Sequence, residues 1–165
     1  MSLSFEGHAK GTNLYTKAQR ERRDATKWTV VQGILAPVQF AVFLASLCLV
    51  LRYMMTGDGY AIATMSIVLK TLVLYTIMIT GAIWEKTVFG QYLLAPAFFW
   101  EDIVSFVVIV LHTLYLLLFF NNLVDPFSLM VVALLAYLVY VINAIQFLWK
   151  LRLARHEQPL EVRHV

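Results

Sequence analysis

The run VVQGILAPVQFAVFLASLCLVL at residues 30–51 decides the architecture. It contains no Asp, Glu, Lys or Arg, and it can cross a hydrocarbon layer of ~30 Å, which takes about 20 helical residues. Three further runs repeat the pattern: 60–84, interrupted only by Lys70; 103–120, again free of those four residue types; and 126–149. The last opens on Pro126, where a missing N–H costs a helix nothing. Gly57-Asp58-Gly59 and Asn121-Asn122 with Asp125-Pro126 supply tight turns between spans, and short turns make neighbouring helices antiparallel. Of the 165 residues, 61% are hydrophobic and 14% charged, too few charges to wet the surface of a soluble domain this size. The expected fold is therefore all-α, an integral membrane four-helix bundle.

Charge placement orients it. Lys10, Lys17, Arg20, Arg22, Arg23 and Lys27 precede the first span, Lys86 follows the second, and Lys150, Arg152, Arg155 and Arg163 follow the fourth. The opposite side offers only Arg52. This bias places both termini and the middle loop in the cytoplasm, and Trp28, Trp84, Trp100 and Trp149 fall at the same ends, as interfacial tryptophans do. The chain divides into a polar N-terminal segment (1–27), a transmembrane domain (28–150) and a cytoplasmic tail (151–165). The first 27 residues are polar, so no cleavable signal peptide is expected. Within them, Thr16 and Gln19 form a capping-box pattern that suits an amphipathic surface helix, its basic side on anionic headgroups rather than on nucleic acid, and a frayed tail fits the same residues about equally. Residues 86–100 are too apolar for an ordinary loop and too short to span. An interfacial or re-entrant segment fits them, with bends at Gly90 and Pro96. Cys48 is the only cysteine, which excludes an internal disulfide, a thiolate zinc site and c-type haem attachment.

Polar groups inside such a frame are costly and need a reason. Glu85, Glu101 and Asp102 bracket the middle loop, with Trp84, Lys86, Tyr92 and Trp100 beside them. Three carboxylates at one membrane depth in an aromatic-walled site can have split protonation, one remaining a general acid. The plainer alternative is that they cap span ends and pair with Lys86. Helical spacing aligns Lys70, Leu74, Ile77, Gly81 and Glu85 on one stripe, and Glu101, Ser105, Val108, His112 and Tyr115 on another. At 1.5 Å per residue, Lys70 lies ~22 Å in from Glu85 and His112 ~16 Å in from Glu101, so the two can approach in depth. The plainer readings are a lysine that snorkels or bonds helix carbonyls and a histidine in an interhelical hydrogen bond. Gln32, Gln39, Asn143 and Gln146 read most simply as hydrogen-bonding ties between helices, with Pro37 bending the first span.

The stretches RRDATKWTVVQGILAPVQF (22–40), GYAIATMSIVLKTLVLYTIMITGAIWEKTVFGQYLLAPAFFWED (59–102) and LHTLYL (111–116) resemble the bacteriochlorophyllide 3-vinyl hydratase family, also called 2-vinyl bacteriochlorophyllide hydratases. The likeness runs from about Tyr15 to Leu117. It implies a hydro-lyase of bacteriochlorophyll biosynthesis in the bacterial inner (intracytoplasmic) membrane, adding water to the C3-vinyl group of a chlorophyllide-type Mg-tetrapyrrole. No cofactor is expected beyond the substrate's own magnesium. On that reading, Glu85 or Glu101 donates the proton and Asp102 positions water. Trp84, Lys86, Tyr92 and Trp100 contact substrate, Lys86 through the propionate, and His112 is a candidate axial ligand to the substrate magnesium. Lys70 stays unassigned. A hydrophobic substrate passed along a membrane also suits contact with neighbouring pathway enzymes. The rival reading is a non-catalytic pigment carrier. A transporter is disfavoured, because the outer half offers little beyond Arg52 and the Asn121-Asn122 turn.

Overall fold

The computed structural model describes residues 14–156. Five helices follow one another: α1 (Lys17–Ala25), α2 (Lys27–Thr56), α3 (Tyr60–Phe89), α4 (Phe99–Phe120) and α5 (Pro126–His156). The last four are long and apolar enough to cross a membrane. Burial is inverted relative to a soluble bundle. Met55 and Met65 are 84% and 69% exposed, whereas Lys70, His112, Thr71 and Ser46 are wholly enclosed. Such an arrangement is stable only where the surroundings are apolar and every polar group must find its partner inside.

α2 packs closely along α3, and α4 along α5, so the bundle is two antiparallel hairpins. Contact between the hairpins, α3 with α4 and α2 with α5, is sparser. Hydrogen bonds stitch both kinds of interface. Gln32 Nε2 donates to Thr80 Oγ1 (2.8 Å) and Trp84 Nε1 to Thr29 Oγ1 (2.9 Å) within the first hairpin. Asn143 Nδ2 donates to Ser105 Oγ (2.7 Å) within the second. Across the hairpins, Ser46 Oγ bonds Tyr137 OH (2.6 Å) and Tyr75 OH bonds Thr113 Oγ1 (2.7 Å). Gln32 and Asn143 thus act as the interhelical ties their positions lead one to expect. Gln39, buried on α2, leaves both amide atoms without a partner among the described residues.

The helix ends follow local chemistry. Thr16 and Gln19 form the anticipated capping box, with Gln19 Oε1 accepting from the Thr16 N–H (2.8 Å) and Thr16 Oγ1 from the Gln19 N–H (3.3 Å). The turn between α2 and α3 needs two left-handed residues, and Gly57 (φ +77°) and Gly59 (φ +90°) supply them. Before α5, Asp125 accepts from the Ser128 N–H (3.0 Å) and hydroxyl (2.6 Å), which holds its carboxyl below the ordinary range. The helices outrun the apolar runs that define them. α3 continues five residues past Trp84 to Phe89, and stops where Gly90 turns left-handed (φ +89°) and its N–H closes on Lys86 O (3.0 Å). α4 begins at Phe99 rather than at residue 103. The intervening stretch is consequently only 90–98. Its second bend lies at Pro96, inside the turn closed by the Phe98 N–H on Ala95 O (2.8 Å). The tail expected at 151–165 is helical through 156, and the remainder lies outside the described residues.

Candidate active site

The two polar stripes are the buried faces of their helices. Lys70, Leu74 and Glu85 are buried on α3, and Glu101, Asp102, Ser105, Val108, His112 and Tyr115 on α4. At the end of the bundle that carries the described N- and C-terminal helix ends, three carboxyl groups converge: Glu85 (5% exposed), Glu101 (6%) and Asp102 (3%).

They do not form one symmetric cluster. Asp102 and Glu101 are neighbours on α4, about 100° apart around the helix, so they point to different partners. Asp102 turns toward α3, where two consecutive N–H groups of the 90–98 loop reach its carboxyl and that of Glu85, so the two carboxyls lie side by side. Two carboxyls in such contact attract only if one of them keeps a proton. The 90–98 loop secures the pair: the Leu94 N–H donates to Asp102 Oδ2 (2.6 Å) and the Ala95 N–H to Glu85 Oε2 (3.2 Å). Leu94 has φ +60°, a left-handed conformation costly for a leucine, and that backbone turn aims two consecutive N–H groups at the two carboxyls.

Glu101 turns the other way, toward α5. Its Oε1 pairs with Lys150 Nζ (3.2 Å), and the same ammonium donates to Ala97 O (2.6 Å) and lies over the Phe98 ring (5.7 Å). Lys150 thus ties α4, α5 and the loop together. Replacing it with Met should strand the buried Glu101 carboxylate and free the loop, costing about 1.5–3 kcal/mol. Thermal unfolding in detergent should show the loss, amide exchange should quicken at 90–98, and Lys150→Arg should recover most of both.

An aromatic wall closes the same end. Trp84 meets Phe98 edge-on at 5.6 Å and Phe89 at 5.8 Å, Phe98 stacks on Phe147 at 6.0 Å, and Tyr15 stacks on Phe89 at 5.7 Å. Three residues expected beside the carboxylates lie elsewhere. Among the described residues no carboxylate partners Lys86; its ammonium donates to Gly90 O (2.8 Å) and sits 5.3 Å from the Tyr92 ring, capping the end of α3. Tyr92 (61% exposed) and Trp100 (69%) face outward. Conversely, Lys150, Phe98 and the Leu94–Ala95 backbone are part of the site that residue types alone did not single out. Lys150 had one available signal: it lies four and seven residues beyond Gln146 and Asn143, on the same face of α5.

Deeper in the bundle, Lys70 and His112 do meet, with Nζ 2.7 Å from Nε2. The other ring nitrogen, Nδ1, donates to Val108 O (2.8 Å), so Nε2 must accept from the lysine. Lys70 Nζ also lies over the rings of Tyr140 (4.1 Å) and Tyr137 (4.9 Å). Both imidazole nitrogens are engaged here, so a metal could reach Nε2 only by displacing Lys70. The carboxyl end, by contrast, has the makings of acid–base chemistry. If Glu85 and Asp102 share one proton, the pair carries one negative charge, Glu101 a second and Lys150 one positive. The excess negative charge favours a cation forming nearby.

A family model described as 2-vinyl bacteriochlorophyllide hydratase matches residues 15–153. The chain is 68% identical over 143 residues to the 2-vinyl bacteriochlorophyllide hydratase of Cereibacter sphaeroides, covering 86% of this chain and 88% of that one. It is 65% identical over 148 residues to the protein of the same name from Rhodobacter capsulatus, covering 90% and 86%. No solved structure matches the chain.

Proposed function

The chain belongs to the 2-vinyl bacteriochlorophyllide hydratase family and is a hydro-lyase of bacteriochlorophyll biosynthesis; from that premise we propose that the Glu85–Asp102 pair is its acid–base centre. The shared proton passes to the terminal carbon of the C3-vinyl group, and the alkene π electrons form the new C–H bond. The inner carbon becomes a cation conjugated with the macrocycle. Water attacks that carbon, forming the C–O bond, and one of its protons returns to the carboxylate pair. The product is the 3-(1-hydroxyethyl) group, and the enzyme is restored without a redox step.

The observation that carries this reading is that two consecutive loop N–H groups, of Leu94 and Ala95, hold the Asp102 and Glu85 carboxyls side by side at nearly complete burial. Such a pair provides in one place a proton to give and a base to take one back. The net negative charge around it stabilises the intermediate cation electrostatically. The flat substrate slides in from the lipid past Phe99, Trp100 and Tyr92, and Trp84 and Phe98 offer aromatic surface to the ring. Lys86, at the exposed rim, is placed to meet the propionate. This end faces the cytoplasm of the bacterial inner membrane, which supplies the water. Magnesium ligation by His112 is not drawn upon, since Lys70 occupies its free lone pair.

The test is isotopic. Membranes containing the protein, supplied with the 3-vinyl chlorophyllide in H2(18)O, should yield hydroxyethyl product bearing one labelled oxygen. Binding of the pigment without any labelled product would instead make the chain a carrier.

A further inference from the structure

Among the described residues, three carboxyl or amide oxygen atoms on α4 and α5 are buried without a hydrogen-bond partner: Glu101 Oε2, Asn143 Oδ1 and Gln146 Oε1. Glu101 (6% exposed) and Asn143 (7%) are more than nine-tenths enclosed. Their residues fall within two turns of α5 and the start of α4 that packs on it. The Lys150–Glu101 pair (3.2 Å) and the Asn143–Ser105 bond (2.7 Å) pin α5 to α4 at two levels. Gln146 lies on α5 between them, three residues from Asn143 and four from Lys150, on the same helical face. Glu101 itself is the chain neighbour of Asp102.

All three atoms are acceptors. An orphaned buried acceptor costs about 1–3 kcal/mol, so three along one helix–helix interface call for a guest that donates. The nearest side-chain donors are already partly engaged: Asn143 Nδ2 donates to Ser105, and Lys150 to Ala97 and Glu101. A water molecule, with two O–H groups to give, is the smallest guest that can donate to them. A water held only by acceptors has both hydrogens fixed, and its lone pairs point away from the wall. That is the orientation a nucleophile needs.

We infer that Glu101, Asn143 and Gln146 form the binding site of the water that is added, on the α5 side of the Glu85–Asp102 pair. This rests on the hydration reading and divides its labour. The α3–α4 pair gives its proton to the vinyl group, and the α4–α5 oxygens hold and orient the water. The proton released on attack passes to Glu101, the carboxylate on that water, before it returns to the pair. Asn143 and Gln146 are positioning residues for that water, and Glu101 is a direct ligand to it.

The reaction offers a way to separate the two functions. In D2O the acid delivers a deuteron to the terminal vinyl carbon. The cation then either captures water or loses a proton from its new CH2D group to the carboxylate, returning vinyl substrate with deuterium at the terminal carbon. A weakened water site should shift this partition and leave protonation intact. Asn143→Leu and, separately, Gln146→Met are incubated as full-length protein in membranes with 3-vinyl chlorophyllide in D2O. Gln146→Met leaves the Asn143–Ser105 bond untouched and is the safer variant for folding. The expected result is at least a tenfold rise in the ratio of deuterated vinyl substrate to hydroxyethyl product, with pigment affinity unchanged. The inference is overturned if the ratio stays at the wild-type value, whether or not overall turnover falls. Should wild type itself form no hydroxyethyl product, the hydration reading fails first, a result distinct from either of these.

Discussion

Glu85→Gln should lower hydration of the 3-vinyl substrate about 10²–10⁴-fold, the range that a positioned acid–base group contributes, while pigment still binds. The amide is nearly isosteric, and its oxygen can still accept the Ala95 N–H that now reaches Glu85 Oε2 at 3.2 Å. What it cannot do is share and surrender a proton with Asp102. Asp102→Asn should behave the same way, since its carboxyl is the other half of the contact and accepts the Leu94 N–H at 2.6 Å. Because the two groups act as a unit, the double amide variant should be little worse than either single one. The measurement is single-turnover loss of the vinyl group, followed by absorbance, against pigment affinity measured separately. Full activity in both single variants would remove the pair from the mechanism.

The second large effect concerns stability. His112→Ala should destabilise the protein by about 3–5 kcal/mol, combining a ring-sized cavity with a polar group left without its partner. His112 is wholly enclosed, and its Nε2 is the acceptor 2.7 Å from Lys70 Nζ. Without it, the lysine keeps only the Tyr137 and Tyr140 rings. Replacing both residues by apolar ones of similar size, Lys70→Met with His112→Leu, should cost less than the sum of the two single changes, because no polar group is then stranded. Thermal unfolding in detergent reads the difference. Pigment affinity per folded molecule should be unchanged in His112→Ala, whereas axial ligation of the substrate magnesium would require it to fall.

Much of this was legible in the residues. Four apolar runs punctuated by Gly57-Asp58-Gly59 and Asn121-Asn122 leave few alternatives, since lipid admits helices and little else. The 3.6-residue period alone aligned Glu101, Ser105, Val108, His112 and Tyr115 on the face that proves buried, and brought Lys70 to the depth of His112. The rest was hidden for definite reasons. Helix ends in a membrane protein are set by capping groups, not hydropathy, so Gly90 extends α3 to Phe89 past the last apolar residue of its run. Opposite charges close in sequence suggest a pair, yet Lys86 bends back to Gly90 O while Lys150, forty-nine residues beyond Glu101, takes the carboxylate. That choice depends on how α5 lies beside α4, which no local pattern encodes. Nor does composition reveal that the backbone of Leu94 and Ala95, not their side chains, holds the acid pair.

The sparse contact between the two hairpins has a mechanical side. Glu85 belongs to one hairpin and Asp102 to the other, so a proton shared between them, as proposed, would also work as a clasp across the sparse joint between the hairpins. On the proposed chemistry, giving that proton to the substrate leaves two like charges face to face, and their repulsion pushes the joint apart until water's proton comes back. Each catalytic cycle would then unfasten and refasten the protein along the crevice through which a flat molecule must come and go.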